Sequence, residues 1–244
     1  MNPGSIEVAI VAIGRNEGER LKLCLRSALR DAPIVIYVDS GSADGSAEYA
    51  RSVGCRVVEL DASRPFSAAR ARNEGFACVM EHAPDIPFVQ FVDGDCELEE
   101  SWIERAASTL EEKSDVGVVC GLVREMYPEA SVFNRICDLE WRQPAGEVRT
   151  SGGRFMVRAR VFQEVDGFRP DVIAGEDDEF CIRVRRQGSK ILMIDAPMAS
   201  HDAAITSFGQ WWRRNRRAGH AYAQVAALHG GGDERYFVRD RRRI

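Results

Sequence analysis

The run from Phe88 to Leu98, Phe-Val-Gln-Phe-Val-Asp-Gly-Asp-Cys-Glu-Leu, leaves this chain few folds to choose from. Phe88, Val89, Phe91 and Val92 have the aromatic and β-branched content of a strand buried on both faces, which is the signature of a parallel sheet covered by helices. Asp93 and Asp95 then stand at the carboxyl end of that strand, where open α/β sheets bind ligands. Gly94 lets the backbone turn and brings the two carboxylates towards one point, a geometry suited to a hard divalent cation bridging phosphate oxygens. Taken alone, the three residues read more readily as a polar Asp-Gly turn leading into a helix, and it is their surroundings that reverse this.

The rest of the chain repeats the pattern. Glu7 to Ile13 reads as a strand, broken at Gly14-Arg15-Asn16-Glu17-Gly18 before a helix with Leu21, Cys24, Leu25, Ala28 and Leu29 on one face. Ile34 to Val38 is a second strand, and the turn residues Asp39 to Ser46 lead into a helix ending near Val53. Cys55 to Leu60 is a third strand. A helix after Pro65 carries Arg70, Arg72 and Asn73, and Ser101 with Glu104 has the spacing of a capping box. Val116 to Val123 is a further strand, Glu176 to Gln187 a helix, Lys190 to Ile194 a short strand, and Phe208 to Leu228 a long Arg-rich amphipathic segment. Alternating strands and helices predict an α/β, Rossmann-like, largely parallel sheet with helices on both faces.

Composition narrows the function classes. A length of 244 residues suits one domain, and a net charge of -5 argues against a general nucleic-acid binder. The cysteine count is odd, at 7, with no Cys-x-x-Cys pair, so neither a disulfide framework nor a zinc site is indicated, and a reducing cytoplasm is the expected home. No stretch approaches the roughly 20 apolar residues of a membrane span. Gly14 and Gly18 do not form Gly-x-Gly-x-x-Gly, and no Gly-x-x-x-x-Gly-Lys-Ser/Thr occurs, which removes support for hydride transfer and P-loop chemistry.

In chain order, Asn16-Glu17, Val-Asp39-Ser-Gly-Ser-x-Asp-Gly-Ser, Ala71-Arg72-Asn73-x-Gly75, Asp93-Gly94-Asp95, Gly152-Gly153 with Phe155 and Phe162, Gly175-Glu176-Asp177 and His201 resemble the motifs of the family 2 glycosyltransferases of the GT-A fold. The likeness runs from about Glu7 to Gly219, and it implies one glycosyltransferase domain. Its expected parts are a nucleotide-sugar half over about 1–125, an acceptor and catalytic half over about 126–206, and a basic amphipathic tail over about 207–244. The resemblance implies transfer of a sugar, with inversion, from a nucleotide diphosphate donor to an acceptor hydroxyl. Asn16, Glu17, Asp39, Arg72, Asn73 and Asp93 would then contact the nucleotide, Gly153 and Glu176 would lie by the donor sugar or acceptor, and Asp95, Asp93 and His201 would hold Mn²⁺ or Mg²⁺. Asp177 would be the general base.

The residues support these roles on their own chemistry. Cleaving the bond to the diphosphate develops negative charge that a cation held by Asp95 stabilises, and an attacking hydroxyl needs a carboxylate such as Asp177 to take its proton. The four acids Glu176 to Glu179 also suit a helix N-terminus, whose dipole favours anions. An arginine on an exposed helix face is usually only solvated. Arg72 outranks Arg70 as a donor contact, because it lies beside the motif's Asn73.

The tail departs from the processive members of the family. Gln210-Trp211-Trp212-Arg213 is followed by Arg214 where they carry Trp, which weakens any case for polymer synthesis. Trp211, Trp212, Arg213, Arg214, Arg216 and Arg217, with Arg239 and Arg241 to Arg243, predict attraction to an anionic membrane at the inner face and a saccharide or lipid-linked acceptor. The alternative for the tryptophans is packing on the catalytic domain. Two other functions compete: a sugar nucleotidyltransferase, for which Gly14 to Gly18 is too short and too acidic a phosphate loop, and a silent nucleotide-sugar binding module.

Overall fold

The computed structural model describes residues 7–232 and 234–238. The first half alternates as the periodicity predicts: β1 (Val8–Gly14), α1 (Glu19–Asp31), β2 (Ile34–Asp39), α2 (Ser46–Ser52), β3 (Arg56–Glu59), α3 (Ala68–His82) and β4 (Phe88–Asp93). Val8 to Ala12 of β1 are each at most 2% exposed. Burial of each Val or Ile side chain contributes about 1.5–3 kcal/mol, which is why these apolar runs become central strands. Gly75 explains its place in the Ala-Arg-Asn-x-Gly motif, because a Cβ there would come within 2.3 Å of Val11 Cγ1 and push α3 off β1.

The second half is less regular. β5 (Cys96–Leu98), α4 (Trp102–Glu112), β6 (Val116–Glu125), α5 (Val132–Trp141), β7 (Gly146–Glu147), β8 (Phe155–Arg158), α6 (Ala159–Glu164), α7 (Glu176–Arg186), β9 (Lys190–His201) and α8 (Phe208–His229) complete the chain. The sheet order is β3-β2-β1-β4-β8-β6-β9-β5, with β7 also on β9. β1 to β4 pair in parallel, as does β6 with β9, whereas β8 runs antiparallel to β4 and β6, and β5 and β7 antiparallel to β9. The expected α/β sheet is therefore present, and its second half mixes strand directions. Phe91, Phe155, Phe162, Phe168 and Phe180 stack into one aromatic cluster that joins the halves.

Two local expectations are corrected. Ser101 has φ 64° and its side chain caps nothing, so Ser101 and Glu104 form no capping box. The capping box lies at Ser207 and Gln210, which start α8, and this spends Gln210 on structure. The late strand does not stop at Ile194: β9 runs to His201, passing Pro197 where the register against β6 shifts, so the missing N–H of proline falls at an irregularity.

Topology sets the site. Gly14 pairs with Asp39 and Ile13 with Asp93, so the loops after β1, β2 and β4 leave the same sheet edge together. Cys96 pairs with His201, which delivers the end of β9 to the Asp93-Gly94-Asp95 turn.

Candidate active site

Two clefts open at this edge. The first, about 420 Å³, is walled by Gly14, Arg15, Glu17, Ser40, Phe66, Arg72 and the Asp93 to Asp95 turn. The second, about 730 Å³, lies between Trp141, Gly153, Glu176 to Asp178, and the inner side of α8. Arg72, Asp93, Glu176 and Arg217 line both.

Arg72 is the joint. Its side chain is 3% exposed, with Nη2 donating to Asp93 Oδ1 at 2.7 Å and Nη1 to Glu176 Oε1 at 2.9 Å. Burial opposes its charge, but Asp93 and Glu176 outweigh this and raise its pKa. The exposed helix face expected for these arginines is corrected, since both Arg70 and Arg72 are buried. Arg70 is spent on the carbonyls of Asp61 and Arg64, which fastens the loop after β3. Gly153 is required by the close approach of Arg72, because a Cβ there would sit 2.5 Å from Nη2.

Asp93 faces a second cation that sequence reasoning missed. Arg154 Nη1 lies 3.6 Å from Asp93 Oδ2 and 3.8 Å from Cys96 Sγ, under the ring of Trp141. With both oxygens turned to arginines, Asp93 is a charge-paired wall of the cleft, and of the three expected ligands it is Asp95 and His201 that lie against each other. Asp95 Oδ2 is 3.0 Å from His201 Nε2. Burial works against the Asp95 charge, yet hydrogen bonding to His201 and the pull of Arg154 and Arg20 hold its carboxyl below the usual range. His201 Nδ1 is buried without a partner, so the imidazole retains bonding capacity. Cys96 is the third group close enough to share an ion with them, but burial pushes its thiol up, and a protonated thiol is a poor ligand for a hard cation. A carboxylate facing an imidazole Nε2 fits a divalent ion completed by phosphate and water oxygens.

The other expected nucleotide contacts separate into lining and scaffold. Glu17 lines the first cleft, its carboxyl raised by burial and then by Asp95. Asn16 sits at φ 56° and its Oδ1 accepts from Ala43 N at 2.8 Å, which ties the first loop to the second. Asp39 is 3% exposed; its Oδ2 accepts from Gly41 N and Ser42 N and its Oδ1 from the Tyr37 hydroxyl, so the carboxylate braces its own loop and leaves Ser40 on the cleft wall. Asn73 is not brought to the cleft: both ends of its amide bond the backbone of Phe168, at 2.7 and 2.9 Å. Phe66, which carries Arg15 at 5.4 Å over its ring, offers the flat apolar surface a nucleobase needs. Its signal in the sequence was a lone aromatic in an otherwise polar loop.

Of the four acids at the start of α7, three are bonded to other side chains. Glu176 holds Arg72; Asp178 accepts from the Tyr236 hydroxyl at 2.7 Å; Glu179, fully buried, binds Arg183 and His229. Glu179 is thus a tie between α7 and α8. Asp177 lines the second cleft with no side-chain donor among the described residues, and burial, followed by the charges of Asp178 and Glu176, pushes its carboxyl up to about 7. A carboxylate with that affinity for a proton is matched to general-base work near neutrality.

The chain is similar along most of its length to known glycosyltransferases. Haloferax volcanii glycosyltransferase AglE is 25% identical over 234 residues, covering 91% of this chain and 74% of that protein. The pre-mycofactocin glycosyltransferase of Mycobacterium tuberculosis is 23% identical over 237 residues, and the match spans 93% of this chain but only 49% of that longer protein. Among solved structures, S. aureus TarS 1-349 superposes with a TM-score of 0.67 at 16% identity, over 93% of this chain and 66% of that one. Mannosyltransferase PcManGT from Pyrobaculum calidifontis, solved with GDP-Man and Mn²⁺, gives 0.66 at 17% identity, over 96% and 67%. The structural likenesses establish the GT-A type of fold. The family model for glycosyl transferase family 2 matches residues 9–165, well over half of the sequence, and the chain belongs to that family.

Proposed function

We propose that this glycosyltransferase moves a sugar, with inversion, from a nucleoside diphosphate donor in the first cleft to an acceptor hydroxyl in the second. The observation that carries the reading is the shared wall: Arg72, Asp93 and Glu176 border both clefts, with Asp95 and His201 on one side and Asp177 on the other. Arg15 and Phe66 would receive the base. Asp95 and His201 would hold Mn²⁺ or Mg²⁺, and a bound ion would supply charge stabilisation to the departing diphosphate. Mn²⁺ is favoured, because imidazole nitrogen is a softer donor than Mg²⁺ prefers. Arg217, which lines both clefts, adds a protein cation at the same junction. Asp177 takes the acceptor proton, and the paired neighbours keep its carboxyl as the available base.

Calorimetric titration with UDP and GDP tests the donor half. Binding in Mn²⁺ should exceed binding in EDTA by at least about tenfold, since carboxylates left without a cation repel a diphosphate. Asp95→Ala should remove that difference; equal affinity with and without metal in the wild type contradicts the assignment.

For the acceptor we propose a saccharide or a lipid-linked saccharide reached at the inner face of a membrane. Support comes from α8. Trp211 packs on Phe133, but Phe208 and Trp212 are 62% and 55% exposed, on the side away from the cleft and beside the exposed Arg213 and Arg216. No helix among the described residues is long and apolar enough to cross a membrane, so contact through these residues would be peripheral. Arg239 and Arg241 to Arg243 lie outside the described residues. Flotation with vesicles should show salt-sensitive binding to anionic lipid that Trp212→Ala with Arg213→Ala and Arg216→Ala reduces. No preference over neutral vesicles leaves a water-soluble acceptor as the better account.

A further inference from the structure

The segment that follows α8 folds back onto α7, the helix that carries Asp177. His229 Nε2 meets Glu179 Oε1 at 3.0 Å, while its Nδ1 faces Arg186 Nη1 at 2.9 Å. Glu234 binds Arg185 and Arg149. Tyr236, 5% exposed, packs with Ile182 and Val225 and lies beneath the guanidinium of Arg149 at 4.8 Å, its hydroxyl donating to Asp178 Oδ1 at 2.7 Å. A buried tyrosine needs a partner for its hydroxyl, and this one takes the acid adjacent to Asp177.

We propose that Tyr236 is a positioning residue for the reaction: its hydroxyl holds Asp178 as a fixed anion beside Asp177, and that anion keeps Asp177 basic enough to accept the acceptor's proton. The proposal rests on Asp177 as the base. The groups around the pair are few. Asp177 is faced by Asp178 and Glu176 on its own helix and by Arg72 from α3; Asp178 by Tyr236, Thr150, Glu176 and Arg185. Glu140 from α5 and Arg214 and Arg217 from α8 line the same cleft. Burial raises Asp178, and hydrogen bonding to Tyr236 is the largest influence lowering it, so loss of the hydroxyl raises the proton affinity of Asp178 further. Once Asp178 is neutral, its repulsion on Asp177 ends and Asp177 becomes a weaker base.

The experiment is a carboxyl titration by NMR on protein labelled with ¹³C-aspartate, with the Asp177 resonance assigned from its loss in Asp177→Asn. It needs no donor or acceptor. In Tyr236→Phe the Asp177 midpoint should fall by about one unit while that of Asp178 rises. Asp178→Asn should lower the Asp177 midpoint by a similar amount with Tyr236 in place, and the double variant should show no further fall, because both changes remove one interaction. An unchanged Asp177 midpoint in Tyr236→Phe overturns the proposal, as does a fully additive double variant. Failure of the base assignment is read separately: it would appear as normal turnover in Asp177→Asn whatever the titration shows.

Discussion

Replacing Asp177 by Asn should leave nucleoside diphosphate affinity within about twofold and lower turnover by about 10²- to 10⁴-fold, the usual contribution of a general base. The amide keeps the shape of the side chain and cannot take a proton. In the wild type, transfer should decline as pH falls through about 7, because the carboxyl pushed up to about 7 must be ionised to act. The same raised value has an opposite consequence for stability. A carboxyl near 3.8 in the unfolded chain and near 7 in the fold favours the folded state at low pH, and that contribution is lost as pH rises through about 7. The Asn variant should therefore melt above the wild type at pH 8 and not at pH 4, which scanning calorimetry reads directly. Near-normal turnover in Asp177→Asn would pass the base role to another group.

Arg72→Met should cause the largest loss of stability of any single change in the site. The methionine fills similar volume but leaves Asp93 and Glu176 facing each other with their shared cation gone. Breaking a buried ion pair by removing one partner costs about 3–5 kcal/mol. The lower end is expected here, because the Asp93 side chain remains 28% exposed and Arg154 stands 3.6 Å from it. Denaturant titration should show a midpoint shifted down without a change in slope, and UDP or GDP binding should fall with it. Arg72→Lys should recover only part, since one ammonium cannot reach two carboxylates with the forked geometry of a guanidinium. An unchanged midpoint in Arg72→Met would mean that the two clefts are held together by other contacts.

Membership of family 2 sets aside the sugar nucleotidyltransferase alternative and places the chain among enzymes rather than silent binding modules. Part of the site was legible residue by residue. Asp95, His201, Arg72, Glu176, Asp177 and Gly153 do converge at one sheet edge. Asn73, in the same motif as Arg72, belongs to the scaffold instead, because residues one apart on a helix point in different directions and only packing shows which one faces the cleft. Arg154 and Phe66 went unread because each acquires its role from a partner distant in sequence, Asp93 in one case and the Arg15 loop in the other, even though Phe66 stands out as a lone aromatic in a polar loop.

What the amino-acid sequence determined by itself is local. Apolar runs bounded by glycine and aspartate specified the parallel strands β1 to β4, because a strand buried on both faces is written in consecutive residues and its turn in the few that follow. The helix of four acids was equally plain. The tertiary structure alone decided that β8 and β5 run antiparallel, that His201 lies opposite Cys96, and that Tyr236, Arg72 and His229 share out three of those acids. Each of these pairings joins residues more than forty positions apart. Such contacts depend on the register of whole elements and on which charges burial forces together, and neither is encoded in any one stretch of chain.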